Sequence, residues 1–477
     1  MARSLLGLVG MLLAMSVLLT VLMLYWTHPH ISSGLSSIQE VRYAETGPVR
    51  ATPAVVKESG SPFTSFRQLW WFAPVWSGGG YSSEAVDFLL GLHKHAWRPQ
   101  LHGRLIAVQH GDMFDEDVLH GMRQNDSAVL TMLMAPAPAL FRKAVVICHS
   151  EPGAWALPEP LYETSICPPP GSLFTVGRTM FETDRLSPEH ARRLNGMHQT
   201  WVPTHFHKEV FAASGVQESK LVVMPEPVDV DFFSPSRVKP LRLPLGRSMF
   251  GHPHPRSPKP FVFLSLFKWE ARKAWDVLLA SFLAEFTARD HVELYMLTHP
   301  FHGEADFERQ AQAWAQGQGL HAGVKGWPTV QVITEHIPQE NLPRLYAAAD
   351  AFVLPSRGEG WGRPHVEAMA MGLPVIATNW SGPTAFLDDT CGYPLNFDGL
   401  VEVTEAGAFQ GHKWAQPSQT HLMQLMRRAV SRPEEARQKG RMARNRMVDR
   451  YAPSVVAQLV MAQLHKIDQG LSEAALE

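Results

Sequence analysis

Short apolar runs alternate with longer amphipathic stretches along most of this chain. Runs at 69–73, 105–108, 129–132, 145–148, 173–176 and 221–224 have the length of strands and are mostly apolar without strict alternation. Strands of that kind are buried on both faces, the mark of a parallel sheet covered by helices. Between several of them apolar residues recur every three or four positions, and the spacing predicts helices at 82–93 and 205–214. A proline-rich, basic stretch at 234–259 interrupts the rhythm, as a connection between domains does. The rhythm then restarts with runs at 261–266, 292–297, 330–334, 351–354 and 375–378. The clearest helix is predicted at 275–288, with Trp275, Leu278, Leu279, Phe282 and Phe286 on one face. A final helical region, 420–467, is interrupted near Pro433 and Pro453.

This repetition predicts an α/β protein with two doubly wound parallel-sheet domains, 66–240 and 260–450. A linker at 241–259 joins them, and a C-terminal helix and tail occupy 451–477. The length of 477 residues fits two or three domains at about 150 residues each. Sheets of this type bind ligands outside the carboxyl ends of their strands, so two that face each other would share a cleft.

Residues 5–26 carry no charge. As a helix rising ~1.5 Å per residue they would cross the ~30 Å apolar core of a bilayer. The run ends in Leu24, Tyr25 and Trp26, bulky residues that suit a membrane interface. A cleaved secretory signal is the alternative, although its apolar region is normally shorter. Arg3 precedes the run and no Lys or Arg follows it until Arg42, which predicts a cytosolic tail at 1–4 and a lumenal body. Residues 27–65 read as a stem. Asn125-Asp126-Ser127 is a glycosylation sequon. Asn379-Trp380-Ser381 is a second, expected to be inaccessible.

Charge narrows the function. Lys and Arg number 43 and Asp and Glu 45, for a net charge of −2, which argues against general nucleic-acid binding. Three cysteines, none in a CxxC pair, exclude a disulfide-stapled scaffold and a zinc module. Asp229-Val230-Asp231 has the spacing of a metal-binding D-x-D motif but lies at the linker, so no metal is expected. The basic run 437–450 is interspersed with Asp and reads as a solvated helix face.

The chemistry concentrates in 350–387. There a buried strand leads through Gly358, Gly360 and Gly362 into a helix opened by Pro364, a favoured first-turn residue. Such glycines let the backbone approach a ligand closely, and a helix N-terminus suits a diphosphate. Glu359 and Glu367 stand eight positions apart.

This segment resembles the E-x7-E signature of retaining glycosyltransferases of family four, which have the GT-B fold of two Rossmann-like domains. The glycine loop 76–81 after the first strand, the segment 266–275 and the linker-proximal 228–235 are similar to further motifs of that family. The resemblance implies that Glu359 bonds hydroxyls of the donor sugar and Glu367 the ribose of its nucleotide. Gly360, Trp361, Gly362, Arg363 and Pro364 would line the diphosphate, with Gly79 and Gly80 facing it from the other domain. Lys268 and Lys273 would neutralise the β-phosphate, and Arg272 could share that task. Here the sequence departs from the family: Lys268 replaces its usual Arg and Ala274 its usual Gly.

The family often has a His that touches the donor sugar, and His149 falls where it would lie; a structural role is the alternative, as for His110. Glu182, Asp184 and Arg185 would be acceptor contacts or a surface loop. The implied activity is a membrane-anchored hexosyltransferase of the Golgi or ER, with a UDP- or GDP-sugar as co-substrate and no cofactor. Its acceptor would be a glycan, protein or lipid. A non-catalytic lumenal carbohydrate- or nucleotide-binding protein on the same scaffold is the alternative.

Overall fold

Every apolar run named above except one is a strand in the structure. It is a computed structural model that describes residues 61–476, apart from 113–114, 116–117, 119–120, 156–164, 301–305 and 406–408. The expected span at 5–26 and the stem up to residue 60 lie outside the described residues. Among those described, no helix is long and apolar enough to cross a membrane.

The N-terminal sheet contains β1 (Gln68–Ala73), β2 (Arg104–Gln109), β3 (Ala144–His149), β4 (Phe174–Arg178), β5 (Gln199–Val202) and β6 (Leu221–Val223). All are parallel, in the order β2-β1-β3-β4-β5-β6. The C-terminal sheet contains β7 (Arg247–Phe250), β8 (Phe261–Trp269), β9 (Val292–Pro300), β10 (Thr329–Ile333), β11 (Ala351–Leu354), β12 (Val375–Thr378) and β13 (Gly392–Leu395). Its order is β13-β12-β11-β8-β9-β10-β7, and only the edge strand β7 runs antiparallel. Strand order reverses between β1 and β3 in one sheet and between β8 and β11 in the other. A doubly wound sheet opens a crevice at such reversals, so the segments after those four strands are the ones to inspect.

Helices cover both sheets. In the N-terminal lobe they are α1 (Gly80–Gly91), α2 (Gln124–Leu133), α3 (Pro188–Asn195) and α4 (His205–Ala213); in the C-terminal lobe α5 (Trp275–Glu285), α6 (Phe307–Gly317), α7 (Arg363–Ala370), α8 (Gln419–Ser431) and α9 (Pro433–Arg446). The last helix, α10 (Pro453–Ala474), returns to the N-terminal lobe. There Val456, Val460 and Leu464 share one core with Phe63, Phe66, Leu89 and Leu92. Asp468 on α10 accepts bonds from the backbone and hydroxyl of Thr64 and the backbone of Ser65, fixing the start of the body.

Several expectations need correction. The run at 129–132 is helical: Leu130 and Leu133 are buried at helical spacing while Met132 is 52 % exposed. The linker at 241–259 contains β7, so the second lobe starts earlier than expected. Short β5 and β13 and the hairpin of β14 (Phe397–Glu402) with β15 (Lys413–Pro417) had no apolar signature. That hairpin's Trp414 and Ala415 pack with Phe181, Phe206 and Phe211 of the N-terminal lobe, so one apolar cluster spans both lobes.

Cys148 and Cys167, which no spacing pairs in advance, form a disulfide with 5.8 Å between their Cα atoms. Asn379 is exposed, as is Asn125. The basic run is solvated only in part. Arg437 pairs at the surface with Glu434, but Lys439 bonds the carbonyl of Asp389, Arg444 those of Val230, Phe233 and Ala370, and Arg446 that of Phe386.

Candidate active site

The crevice of the C-terminal lobe is built from the turn after β8 and the loop after β11. Ala274, which opens α5, has a φ of 51°, in the left-handed region where glycine is at ease. That bend turns the preceding Lys273 inward, and its side chain is 11 % exposed. Its Nζ donates to both oxygens of Glu359, at 2.7 and 2.9 Å. Arg272 Nη1 donates to Glu359 Oε2 at 3.1 Å and to the carbonyl of Gly358 at 2.9 Å. The hydroxyl of Ser356 donates to Glu359 Oε1, while Ser381 Oγ accepts the N–H of Glu359. A paired guanidinium braces the frame: Arg357 holds Asp276 and the carbonyl of Ala271.

Glu359 thus receives four hydrogen bonds, the number a carboxylate can accept. Burial by itself would raise its pKa, but the Lys273 and Arg272 charges outweigh that and hold it well below the usual carboxylate range. Burial, together with the Arg272 charge, lowers the pKa of Lys273. The site is a buried cluster of one carboxylate and two cationic side chains at the topological reversal of the sheet.

The loop continues into α7. Gly362 has a φ of 113° and starts the helix, with Pro364 in its first turn. Glu367 lies one turn on and accepts the hydroxyl of Tyr346 at 2.9 Å; burial raises its pKa to about 7. Trp361 is buried against Phe386 and Tyr451. The side chain of Arg363 leaves its lobe and pairs with Asp87 on α1, while its Nη1 bonds the carbonyl of Pro227.

Two of the three glycines approach the opposite lobe, not open space, and a Cβ at the third, Gly362, would lie 2.7 Å from His365 Nδ1. A Cβ at Gly358 would lie 2.0 Å from the carbonyl oxygen of Glu182, and one at Gly360 2.3 Å from Met180 Sδ, both in the N-terminal lobe. Across the crevice, a Cβ at Gly79 or Gly80 would meet no described residue within 4 Å.

Other sequence-predicted residues fall elsewhere. Lys268 is exposed near the end of β8, beside His299; the residue that joins Lys273 on Glu359 is Arg272. His149 is fully buried in the N-terminal lobe. Trp71 Nε1 donates to its Nδ1 at 3.0 Å, so Nε2 carries the proton and donates to Glu84 at 2.9 Å. Arg178 binds the other oxygen of Glu84. His110 is buried against the carbonyl of Ser165. Glu182 faces the cluster, 3.7 Å from Arg272 Nη1, whereas Asp184 joins the lobes by accepting the N–H of Lys413. Asp229 pairs with Arg123 and caps the N–H groups of Asp231 and Phe232. Among the described residues no acidic, His or Cys group is arranged to hold a metal ion. Sequence reasoning missed Ser356, Ser381 and Tyr346, which carry no spacing signal of their own.

A separate cleft of about 870 Å³ is lined by residues that include Lys94, Arg123, Asp229 and Arg237 and shares none with the Glu359 cluster.

Residues 258–408, which include the whole Glu359 cluster, match the family model described as Glycosyl transferases group 1. In that segment the C-terminal lobe is similar to the group 1 glycosyl transferases. Curated relatives match in pieces. O-antigen chain mannosyltransferase B of Escherichia coli is 54 % identical over 44 residues, 9 % of this chain and 12 % of that protein. A D-inositol 3-phosphate glycosyltransferase of Geodermatophilus obscurus is 31 % identical over 183 residues, 37 % of each chain. The chain therefore spans well under half of these relatives. The solved structure of Anabaena Alr3699/HepE in complex with UDP and glucose has a TM-score of 0.55 at 12 % identity, covering 84 % of this chain and all of that one. At that identity the likeness establishes the shared GT-B fold.

Proposed function

We propose that this chain is a retaining glycosyltransferase that moves a hexose from a UDP- or GDP-sugar to an acceptor hydroxyl. The observation that carries the proposal is the buried cluster of Glu359, Lys273 and Arg272 at the reversal of the C-terminal sheet, in the loop that leads into α7. The relatives named as glycosyltransferases, and the neighbour that holds UDP and glucose, support it.

In this reading the β-phosphate rests against the N-terminus of α7 and the cations of Lys273 and Arg272. Glu359 holds those cations before the donor arrives, so the charge that develops on the departing diphosphate meets a field already oriented. A hydroxyl of the sugar takes one of the places on Glu359 now filled by Ser356 or Arg272. The ribose binds Glu367. The leaving phosphate oxygen accepts the proton of the acceptor on the same face of the sugar, which gives retention without a resident metal.

The body is further proposed to face the lumen of the Golgi or ER from a single N-terminal span. The uncharged run at 5–26 and the Cys148–Cys167 disulfide support this, since such bonds persist in oxidising compartments.

The test incubates the purified full chain with ¹³C-labelled UDP- and GDP-sugars and cell-extract acceptors, and reads the anomeric configuration of the product by NMR. An α-linked product from an α-donor is expected. Glu359→Gln should lower turnover by about 10²–10³-fold; turnover within threefold of the unaltered chain would remove Glu359 from the mechanism.

A further inference from the structure

Arg363 opens α7, yet its side chain serves the other lobe. It pairs with Asp87, one turn beyond Glu84 on α1, and bonds the carbonyl of Pro227 in the segment between the lobes. Only 13 % of its side chain and 16 % of that of Asp87 are exposed. An ion pair so enclosed contributes little net stability, because desolvation offsets the attraction. What it fixes is geometry, since a guanidinium with two acceptors tolerates few arrangements. Glu226 reinforces this: its carboxylate is buried, without a hydrogen bond among the described residues, 3.9 Å from Arg363 and 4.0 Å from Arg178.

A second, independent observation marks the same seam as built to close. Gly358 and Gly360 approach the carbonyl of Glu182 and the side chain of Met180 so closely that no Cβ fits. The two helix starts that flank the crevice, Gly79–Gly80 of α1 and Gly362–Arg363 of α7, therefore sit on elements joined to each other by one side-chain pair.

We propose that Arg363 and Asp87 are positioning residues for the transfer reaction: their pair holds α7 against α1 in one lobe arrangement, the arrangement in which both helix starts meet the donor. The inference rests on the glycosyltransferase reading but makes a claim about lobe placement that stands apart from it. Nucleotide affinity, set mainly by the C-terminal lobe, is little affected by the loss of Asp87. The rate of transfer, which needs both lobes, depends on it.

The test uses the full chain carrying Asp87→Asn, Arg363→Gln or both, with spin labels on cysteines introduced at Arg192 and Arg309, exposed positions of the two lobes. The unaltered chain should give one narrow distance distribution by double electron–electron resonance with UDP or GDP present, and each variant a broadened or longer one. kcat should fall at least tenfold in each, while in Asp87→Asn, which leaves the start of α7 intact, the Kd of UDP or GDP should change less than threefold. The double variant should be no worse than the poorer single one, because the two residues act as a unit. Arg363→Lys, which keeps the charge, should recover part of kcat. Unchanged distances with kcat within twofold, or losses that multiply in the double variant, would overturn the proposal. Asp87→Asn is nearly isosteric and decides the matter if Arg363→Gln does not fold. Should no sugar be transferred by any form of the chain, the distance measurement decides alone, and only the glycosyltransferase reading is lost.

Discussion

Glu367 and Ala274 show how local environment sets the properties of single residues. Burial lifts the pKa of Glu367 to about 7, although Arg363 and the Tyr346 hydroxyl pull the other way. The folded chain therefore holds a proton there that the unfolded chain releases above its ordinary value of 4.5. The contribution to stability is complete below that value and is lost as pH rises to about 7. If Glu367 accepts ribose hydroxyls, it does so best when ionised. Calorimetric titration should then show UDP or GDP binding several-fold tighter at pH 8 than at pH 6, with the dependence flattened in Glu367→Gln. Ala274 sits in left-handed backbone, which costs a non-glycine residue roughly 1 kcal/mol. Ala274→Gly should raise the melting temperature, as read by thermal unfolding, without moving Lys273. That Glu359 and Lys273 belong to one site was legible, because each lies in a recognisable sequence pattern. The choice between Lys268 and Arg272 was not. Lys268 still belongs to the strand, with its side chain at the surface, whereas Arg272 belongs to the turn that bends into the crevice, and charge alone does not separate them.

Elements were legible where burial is continuous. The central strands β1, β3, β8, β11 and β12 are mostly apolar because both faces are covered, and their sequence shows it. At 129–132 the same cue misleads, since so short a mostly apolar run fits one turn of helix as well as a strand. Strand β13, with a proline, and the mostly exposed β14 lack the cue altogether. Helix α10 was predicted as a helix, but nothing in its periodicity says which lobe it covers. Its packing makes a definite claim: Leu464 is fully buried in the N-terminal core. Leu464→Ala should cost about 2–5 kcal/mol, measured by urea unfolding, whereas a helix merely appended to the C-terminal lobe would lose far less.

At the scale of the molecule, the alternation of strand and helix foretold two doubly wound lobes and a cleft at their strand ends. How tightly the lobes meet was not legible, because the contacts join residues remote in sequence: Asp87 with Arg363, Glu182 with Gly358, Asp184 with Lys413. Glycines that in sequence suggest room for a ligand proved in part to make room for the opposite lobe. The His149 network is likewise assembled from Trp71, Glu84 and Arg178 across the sheet, so no spacing announces it. All of the functional account depends on where a nucleotide binds, and a crystal structure of the chain with UDP or GDP measures that directly. The account predicts the diphosphate at the N-terminus of α7 within hydrogen-bonding distance of Lys273, with the ribose at Glu367. A nucleotide seated instead in the cleft lined by Lys94, Arg123 and Arg237, or crystals that take up neither nucleotide, would contradict it.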